Sequence, residues 1–325
     1  MNGKTVLVTG GAGFIGSNFC DRLLMEEWKV INIDNFNDFY NPMIKWNNVK
    51  KSLTNKNYKL YVGDIRDRKL LEQVFKENKI DYVVHLAALA GVRASLLNPL
   101  DYVDVDIGGT VNLLEVSKDF SIRKFIFGSS SSVYGLRRET PFSENTVIDL
   151  QISPYAVAKR AAELYCYSYS YLYGISIGVL RFFTVYGPRQ RPDMAIHKFT
   201  RLIDEGEKVP IFGDGKSKRD YTYVGDIVDG IIKAINTDYN FEIFNLGGGH
   251  LVELLDLVSI ISKKLGKKAN IEFLPEQKGD VPITFADISK AKNLLGYNPS
   301  TNIEEGIDKF LDWYLKEKER GAENE

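Results

Sequence analysis

Tyr155 and Lys159 stand four residues apart in Tyr155-Ala156-Val157-Ala158-Lys159, a segment opened by Pro154. In a helix that spacing puts both side chains on one face. A free tyrosine titrates near pH ~10 and is a poor base at neutral pH. An ammonium beside it favours the phenolate, so the pair can take a proton from a substrate hydroxyl. Alone, the spacing is common and describes a surface pair equally well. A third group lies upstream, in Gly128-Ser129-Ser130-Ser131-Ser132-Val133-Tyr134-Gly135, just past an apolar strand-like run. A hydroxyl there can hydrogen-bond a reacting oxygen, although four serines in a row also make an ordinary polar turn.

A second constellation binds rather than reacts. Thr9-Gly10-Gly11-Ala12-Gly13-Phe14-Ile15-Gly16 follows the first apolar run and opens a helical stretch. Gly10 permits the tight turn, Gly13 lets backbone approach a pyrophosphate, and Gly16 allows close helix–strand packing. Phe14 and Ile15 in the same turn are further cofactor candidates, and the helix that follows offers free N–H groups to phosphate. Asp34 ends the next strand-like run, where an acid takes the adenosine ribose hydroxyls and repels a 2′-phosphate. These residues together predict a dinucleotide site that prefers NAD over NADP. Asn35 adjoins Asp34. Asp64 follows the third run and can reach the adenine, while Ala87-Ala88-Leu89 follow the fourth and can line the pyrophosphate; Ile65 and Leu86 beside them are further cofactor candidates. A strand-end aspartate is often only a helix cap.

The elements that must hold these groups alternate. Thr5–Val8, Val30–Asp34, Leu60–Val62, Val83–Leu86, Phe125–Gly128 and Ser176–Leu180 read as buried strands, with helical stretches such as Ser17–Glu27, Lys69–Glu77 and Thr110–Asp119 between them. That rhythm predicts an α/β fold, a Rossmann-like doubly wound parallel sheet with ligands at the carboxyl ends of its strands. After Tyr186-Gly187-Pro188 the rhythm loosens. A helix at Gly225–Ile235 and a strand at Phe241–Leu246 can return to the main sheet. The predicted division is 1–183 plus about 222–246 for the dinucleotide domain. A smaller, mostly helical C-terminal lobe takes about 184–221 plus 247–325.

The chain has 325 residues, 44% hydrophobic and 26% charged, with net charge −1. That balance is globular and carries no electrostatic footprint of nucleic-acid binding. Cys20 and Cys166 lie in helical stretches without ligand spacing, and of the three histidines His85 ends an apolar run and reads as packed. Neither a metal site nor a disulfide is expected, and a reducing compartment fits. No signal peptide or membrane span is read, so a cytoplasmic location is expected.

TGGAGFIG, the HLAA run, SSSSVYG, YAVAK, RFFTVYGP, RDYTYV and GDVPITFADISKA together resemble the extended short-chain dehydrogenase/reductases, specifically the nucleotide-sugar epimerases. The resemblance implies Ser130 as the serine of a triad, Tyr155 as base and Lys159 as its modulator and a ribose contact, with Ser132 as a second hydroxyl in the pocket. Related dehydratases carry Asp-Glu just before VYG and related decarboxylases carry Glu; Ser131-Ser132 here looks like an epimerase. The run from Arg181 to Ala195 resembles the UDP-glucuronate 4-epimerases, with Thr184 where galactose-type relatives usually have Asn. A guanidinium at Arg191 can pair bidentately with a sugar carboxylate, or simply with the neighbouring Asp193. By resemblance, Arg219 holds a UDP diphosphate, Asp280 the uridine ribose, and Arg93 lies near the pyrophosphates. Tightly held NAD, regenerated each cycle, a UDP-sugar substrate and a homodimer are implied, with polysaccharide synthesis a natural destination. A UDP-glucose or UDP-N-acetylhexosamine 4-epimerase and a UDP-glucuronate decarboxylase are the alternatives. The five tyrosines from Tyr165 to Tyr173 suit packing or a subunit interface. Asp106 departs from the pattern, since relatives usually carry an Asn there that helps place the cofactor.

Overall fold

The computed structural model describes residues 3–137, 139–277 and 281–322. Its first half alternates as the apolar runs require. Strand β1 (Thr5–Thr9) leads to helix α1 (Phe14–Met25), β2 (Lys29–Asp34), α2 (Pro42–Val49), β3 (Tyr58–Val62), α3 (Arg68–Glu77) and β4 (Tyr82–His85). Two short helices, α4 (Val92–Leu97) and α5 (Pro99–Tyr102), run into a π-helical turn at Val103–Gly108 and then α6 (Gly109–Ser117). Next come β5 (Lys124–Ser130), the long α7 (Pro154–Tyr173) and β6 (Ile177–Phe182). The second half holds β7 (Thr184–Tyr186), α8 (Ala195–Glu205), β8 (Lys208–Phe212), β9 (Lys218–Tyr223), α9 (Val224–Asn236), β10 (Phe241–Leu246), β11 (Leu251–Glu253) and α10 (Leu254–Leu265). It ends with β12 (Asn270–Leu274), β13 (Ile283–Thr284), α11 (Ser289–Leu295) and α12 (Ile303–Ala322).

The main sheet has seven strands in the order β10-β6-β5-β4-β1-β2-β3, and every pair in it is parallel. Both of its faces are buried, which explains why the strands read as unbroken apolar runs. Val6 and Val8 of β1 face a core built with α1 and α9. Leu7 between them faces the core built with α3, α6 and α7. The strand expected at Phe241–Leu246 pairs in parallel with β6, so the chain does return to this sheet.

The remaining strands form two smaller sheets. In one, β9 pairs with β11, β13 and β7; in the other, β12 pairs with β8. Around them α8, α10 and α12 enclose a separate core that includes Phe199, Leu257 and Phe310. Helices supply most of this region's regular structure. Its short strands, two to six residues long, had no counterpart in the sequence reading.

Candidate active site

The carboxyl ends of the main-sheet strands open into one cleft of about 850 Å³. The first β–α turn forms its floor. Gly10 adopts φ +74°, and a Cβ added there would lie 2.7 Å from the Ala87 nitrogen. A Cβ on Gly16 would meet the Gly10 carbonyl oxygen at 2.2 Å. The turn thus closes only with these glycines. Gly13 is the N-cap of α1 and no side chain caps it, so the first-turn N–H groups remain for an anion. Gly10, Gly13, Phe14, Ile15 and Gly16 all line the cleft.

Asp34 sits at the rim of this cradle, 7% exposed. One of its carboxylate oxygens accepts the Ala12 N–H and the other the Phe36 N–H, both at 2.9 Å. Each oxygen keeps a second lone pair, which suits a pair of ribose hydroxyls. Burial pushes this carboxyl above the usual range, opposed by those two N–H bonds and the Lys45 charge. Asn35 and Asp64 also line the cleft, but the Asp64 carboxylate is held by Arg66 through two bonds of 2.9 Å and by the Asn35 amide at 2.8 Å. The Arg66 guanidinium beside it brings Asp64 down to about 2. Ile65, Leu86, Ala87 and Ala88 complete the wall.

His85 props this wall from behind. The Thr110 hydroxyl donates to the Asp106 carbonyl, so its oxygen accepts from His85 Nε2 at 3.0 Å, and His85 Nδ1 accepts the Thr9 hydroxyl at 2.7 Å. Thr9 in turn accepts the Ala87 N–H at 3.3 Å. Each bond is made by a neutral ring, and burial lowers the histidine to about 3. The packed histidine read from the sequence is therefore also a strut between β1, β4 and α6.

At the other end stand the serine, tyrosine and lysine singled out in the sequence. Ser153 caps α7 by accepting the Ala156 N–H, with Pro154 at the first helical position. Tyr155 and Lys159 then face the cleft together. Lys159 is 5% exposed, and its ammonium donates to the Gly128 carbonyl at 3.0 Å and lies 5.0 Å from the Phe127 ring centre. The Tyr155 ring packs edge-on against Tyr102, 6.2 Å between centres. Ser130, Ser131 and Ser132 line the same space. The Ser130 hydroxyl donates to Ser132 Oγ and accepts the Ser132 N–H, both at 3.1 Å.

Thr184 and Arg191 also line this end. Arg191 makes a two-pronged pair with Asp193, Nε–Oδ1 3.0 Å and Nη2–Oδ2 2.7 Å, and its guanidinium lies 5.2 Å from the Phe39 ring centre. One edge of the guanidinium is thus occupied by Asp193, whose side chain is 49% exposed against 15% for Arg191.

Two expected contacts stand beyond the cleft lining. Arg93 is exposed on α4, with its guanidinium 5.1 Å from the ring of Phe212 at the end of β8. Arg219 lies on β9 and donates to the Lys218 carbonyl at 3.0 Å. Asp280 lies outside the described residues. Sequence reading missed Tyr102, Arg66, Phe39 and Tyr40, which all line the cleft. Arg66 carried a local signal, two residues after a strand-end acid; Tyr102 carried none.

A glycine cradle, a ribose acid, and serine, tyrosine and lysine converging at the strand ends define a site of the extended short-chain dehydrogenase/reductase class. The chain belongs to the family described as GDP-mannose 4,6 dehydratase, whose model matches residues 7–310. It is 46% identical over 311 residues to the UDP-glucuronate 4-epimerase of Thermodesulfobacterium geofontis, across 94% of this chain and 95% of that one. The crystal structure of UDP-glucuronic acid 4-epimerase from Bacillus cereus, in complex with UDP-glucuronic acid and NAD, matches with TM-score 0.91 at 38% identity, covering 96% of this chain and 99% of that chain. UDP-glucose 4-epimerase from Thermotoga maritima, solved with UDP-glucose, matches with TM-score 0.89 at 35% identity over the same shares, 96% and 99%.

Proposed function

We propose that this protein is an NAD-dependent epimerase that inverts C4 of UDP-glucuronate to give UDP-galacturonate through a 4-keto intermediate. The observation that carries the reading is the convergence of Tyr155, the Ser130–Ser132 hydroxyls and the Arg191 guanidinium in one cleft that runs on to the glycine cradle. The cradle and Asp34 fit NAD, because a Cβ at Gly10 or Gly16 would fill the space left for the turn and the acid repels a 2′-phosphate. Bound NAD supplies the hydride acceptor for C4 and returns the hydride. Tyr155 takes the proton from the C4 hydroxyl and gives it back. Lys159, on the same helix face, holds positive charge that steadies the negative charge building on the phenol oxygen during the transfer. The Ser130 hydroxyl turns its one proton from Ser132 Oγ to the C4 oxygen when the sugar is bound. Arg219, Arg93 and Asp280 anchor the nucleotide far from C4, so that the sugar ring can turn over while UDP stays bound.

A C4 ketone beside the C5 carboxylate makes a β-keto acid, which readily loses carbon dioxide. Arg191, Thr184 and the serine hydroxyls hold the carboxylate charged and away from the geometry that breaks its carbon–carbon bond. One observation favours a second reading: the Arg191 fork already pairs with Asp193, which leaves room for a neutral UDP-hexose. The test is incubation of the purified protein with UDP-glucuronate, without added NAD, and product resolution by NMR. UDP-galacturonate is expected. Arg191→Ala is expected to raise KM for UDP-glucuronate about tenfold or more, the scale of a lost charge-assisted pair, and to release UDP-pentose. Clean epimerisation with unchanged KM in that variant refutes the carboxylate role.

The proposal extends to organisation. The dinucleotide domain comprises 1–183 plus about 222–246. A homodimer forms through α6 and α7, the latter exposing Tyr167, Tyr171 and Leu172. The setting is cytoplasmic, in supply of polysaccharide precursors. Both cysteines are buried and unpaired, and among the described residues no helix is long and apolar enough to cross a membrane.

A further inference from the structure

We infer that Glu163 is a positioning residue: through Ser129 it sets the end of β5 that bears Ser130 against the face of α7 that bears Tyr155 and Lys159. The inference rests on the reading of Ser130 and Tyr155 as the reacting pair.

Glu163 follows Lys159 by four residues, as Lys159 follows Tyr155, so the three share one stripe of α7. The stripe is stitched to β5 at consecutive residues. Lys159 Nζ donates to the Gly128 carbonyl at 3.0 Å, and one turn on, Glu163 Oε1 accepts the Ser129 hydroxyl at 2.6 Å. Ser130 is the next residue. Neither stitch can slide along the strand without breaking the other. The relative height of the tyrosine and the serine is therefore set by two bonds rather than by apolar packing, which tolerates small shifts.

The Glu163 carboxylate is itself immobilised. Its side chain is fully buried and accepts four hydrogen bonds, filling its four strong lone-pair sites: Ser129 and Arg181 Nε on Oε1, Arg181 Nη2 and Arg160 Nη1 on Oε2, at 2.6, 2.9, 2.8 and 3.0 Å. Arg181 on β6 is 1% exposed and donates to the Tyr134 hydroxyl at 3.0 Å. Tyr134, in the turn after the serines, donates to Asn245 on β10 at 2.7 Å. The serine run is thus gripped on both sides, by Ser129 at its start and Tyr134 at its end, from one buried ion pair. A buried pair with this geometry is a device for fixing arrangement more than for adding stability. Glu163 does not line the cleft, so its effect on rate runs through the serine run, which it holds by Ser129 and, by way of Arg181, by Tyr134.

Removing Glu163 would strand the Arg181 charge, so the test uses Ser129, whose loss leaves the ion pair intact. Ser129→Ala and Ser129→Thr are purified beside Ser130→Ala and Tyr155→Phe, checked for wild-type Tm and NAD content, and assayed for C4 epimerisation of UDP-glucuronate. Ser129→Ala is expected to lower kcat about tenfold at unchanged KM, the scale of a misplacement well under an ångström, and Ser129→Thr, which keeps the hydroxyl, to restore it. Wild-type kcat in a folded Ser129→Ala overturns the inference. So does a Thr variant as slow as the Ala one, because packing rather than the bond would then be at work. If Ser130→Ala and Tyr155→Phe turn over normally, it is the assignment of the reacting pair that fails.

Discussion

Asp106 should make the protein less stable as pH rises from 4 to 6, and Asp106→Asn should abolish that loss. The residue sits in the π-helical turn between α5 and α6, 2% exposed. Its Oδ1 accepts the Leu89 N–H at 2.7 Å, while Oδ2 has no hydrogen-bond partner among the described residues. Burial raises the carboxyl from its ordinary 3.8 to about 6, against the opposing pull of the Lys159 ammonium and the Leu89 N–H. The folded value lies above the unfolded one, so the native state holds the proton longer. The associated stability is present below pH 3.8 and is lost as pH climbs through 6. A shift of about two units corresponds to roughly 3 kcal/mol. An asparagine has no proton to lose in this range. How well its amide fits sets an offset that does not depend on pH; the change of the difference with pH comes from the buried charge alone. Urea unfolding of both proteins at pH steps from 4 to 8 measures it. The stability of Asp106→Asn relative to the parent should climb by about 3 kcal/mol between pH 4 and 7 and then level off. Parallel curves would show that Asp106 reaches water or a donor when folded, and the reasoning would fail.

His85 acts in the opposite direction. Its ring stays neutral in the fold down to about 3, so stability should fall as pH drops below the unfolded value of about 6.5, by up to about 5 kcal/mol; His85→Gln should be weaker at pH 7 but lose less on acidification, as followed by circular dichroism. Gly16→Ala places a Cβ 2.2 Å from the Gly10 carbonyl oxygen and 2.8 Å from the Gly11 Cα. Because both are backbone atoms of the phosphate turn, the variant should lose about 2 kcal/mol of stability and purify without NAD, measured as nucleotide released on denaturation.

What could be read in the sequence was local in origin. The glycine turn, Asp34 and the Tyr–Lys spacing are each dictated by a backbone shape or a helical pitch, and the structure puts all of them on one cleft. The apolar runs announced the parallel sheet because both its faces are covered. The strands of the two smaller sheets gave no such signal. β12 is largely exposed and β13 is two residues long, so pairing partners rather than composition define them. Arg191 was read with two partners open, a substrate carboxylate or Asp193. The structure shows the second in place and leaves an edge of the guanidinium for the first.

The serine run shows most clearly where sequence reasoning stops. In a half-buried strand, alternation of polar and apolar residues would tell which hydroxyl faces inward. β5 is buried along its whole length, so Ser129 and Ser130 look alike in the sequence. Strand geometry turns adjacent side chains to opposite faces; here one hydroxyl goes to Glu163 and the next to Ser132 beside the cleft. Only the carboxylate brought up by α7 breaks the symmetry between them. Which hydroxyl the helix takes up is thus decided by a residue 34 positions from Ser129 that no spacing rule connects to it. The same holds for Asp106, where the sequence could name the missing amide but not the burial that converts a missing donor into a proton held to pH 6.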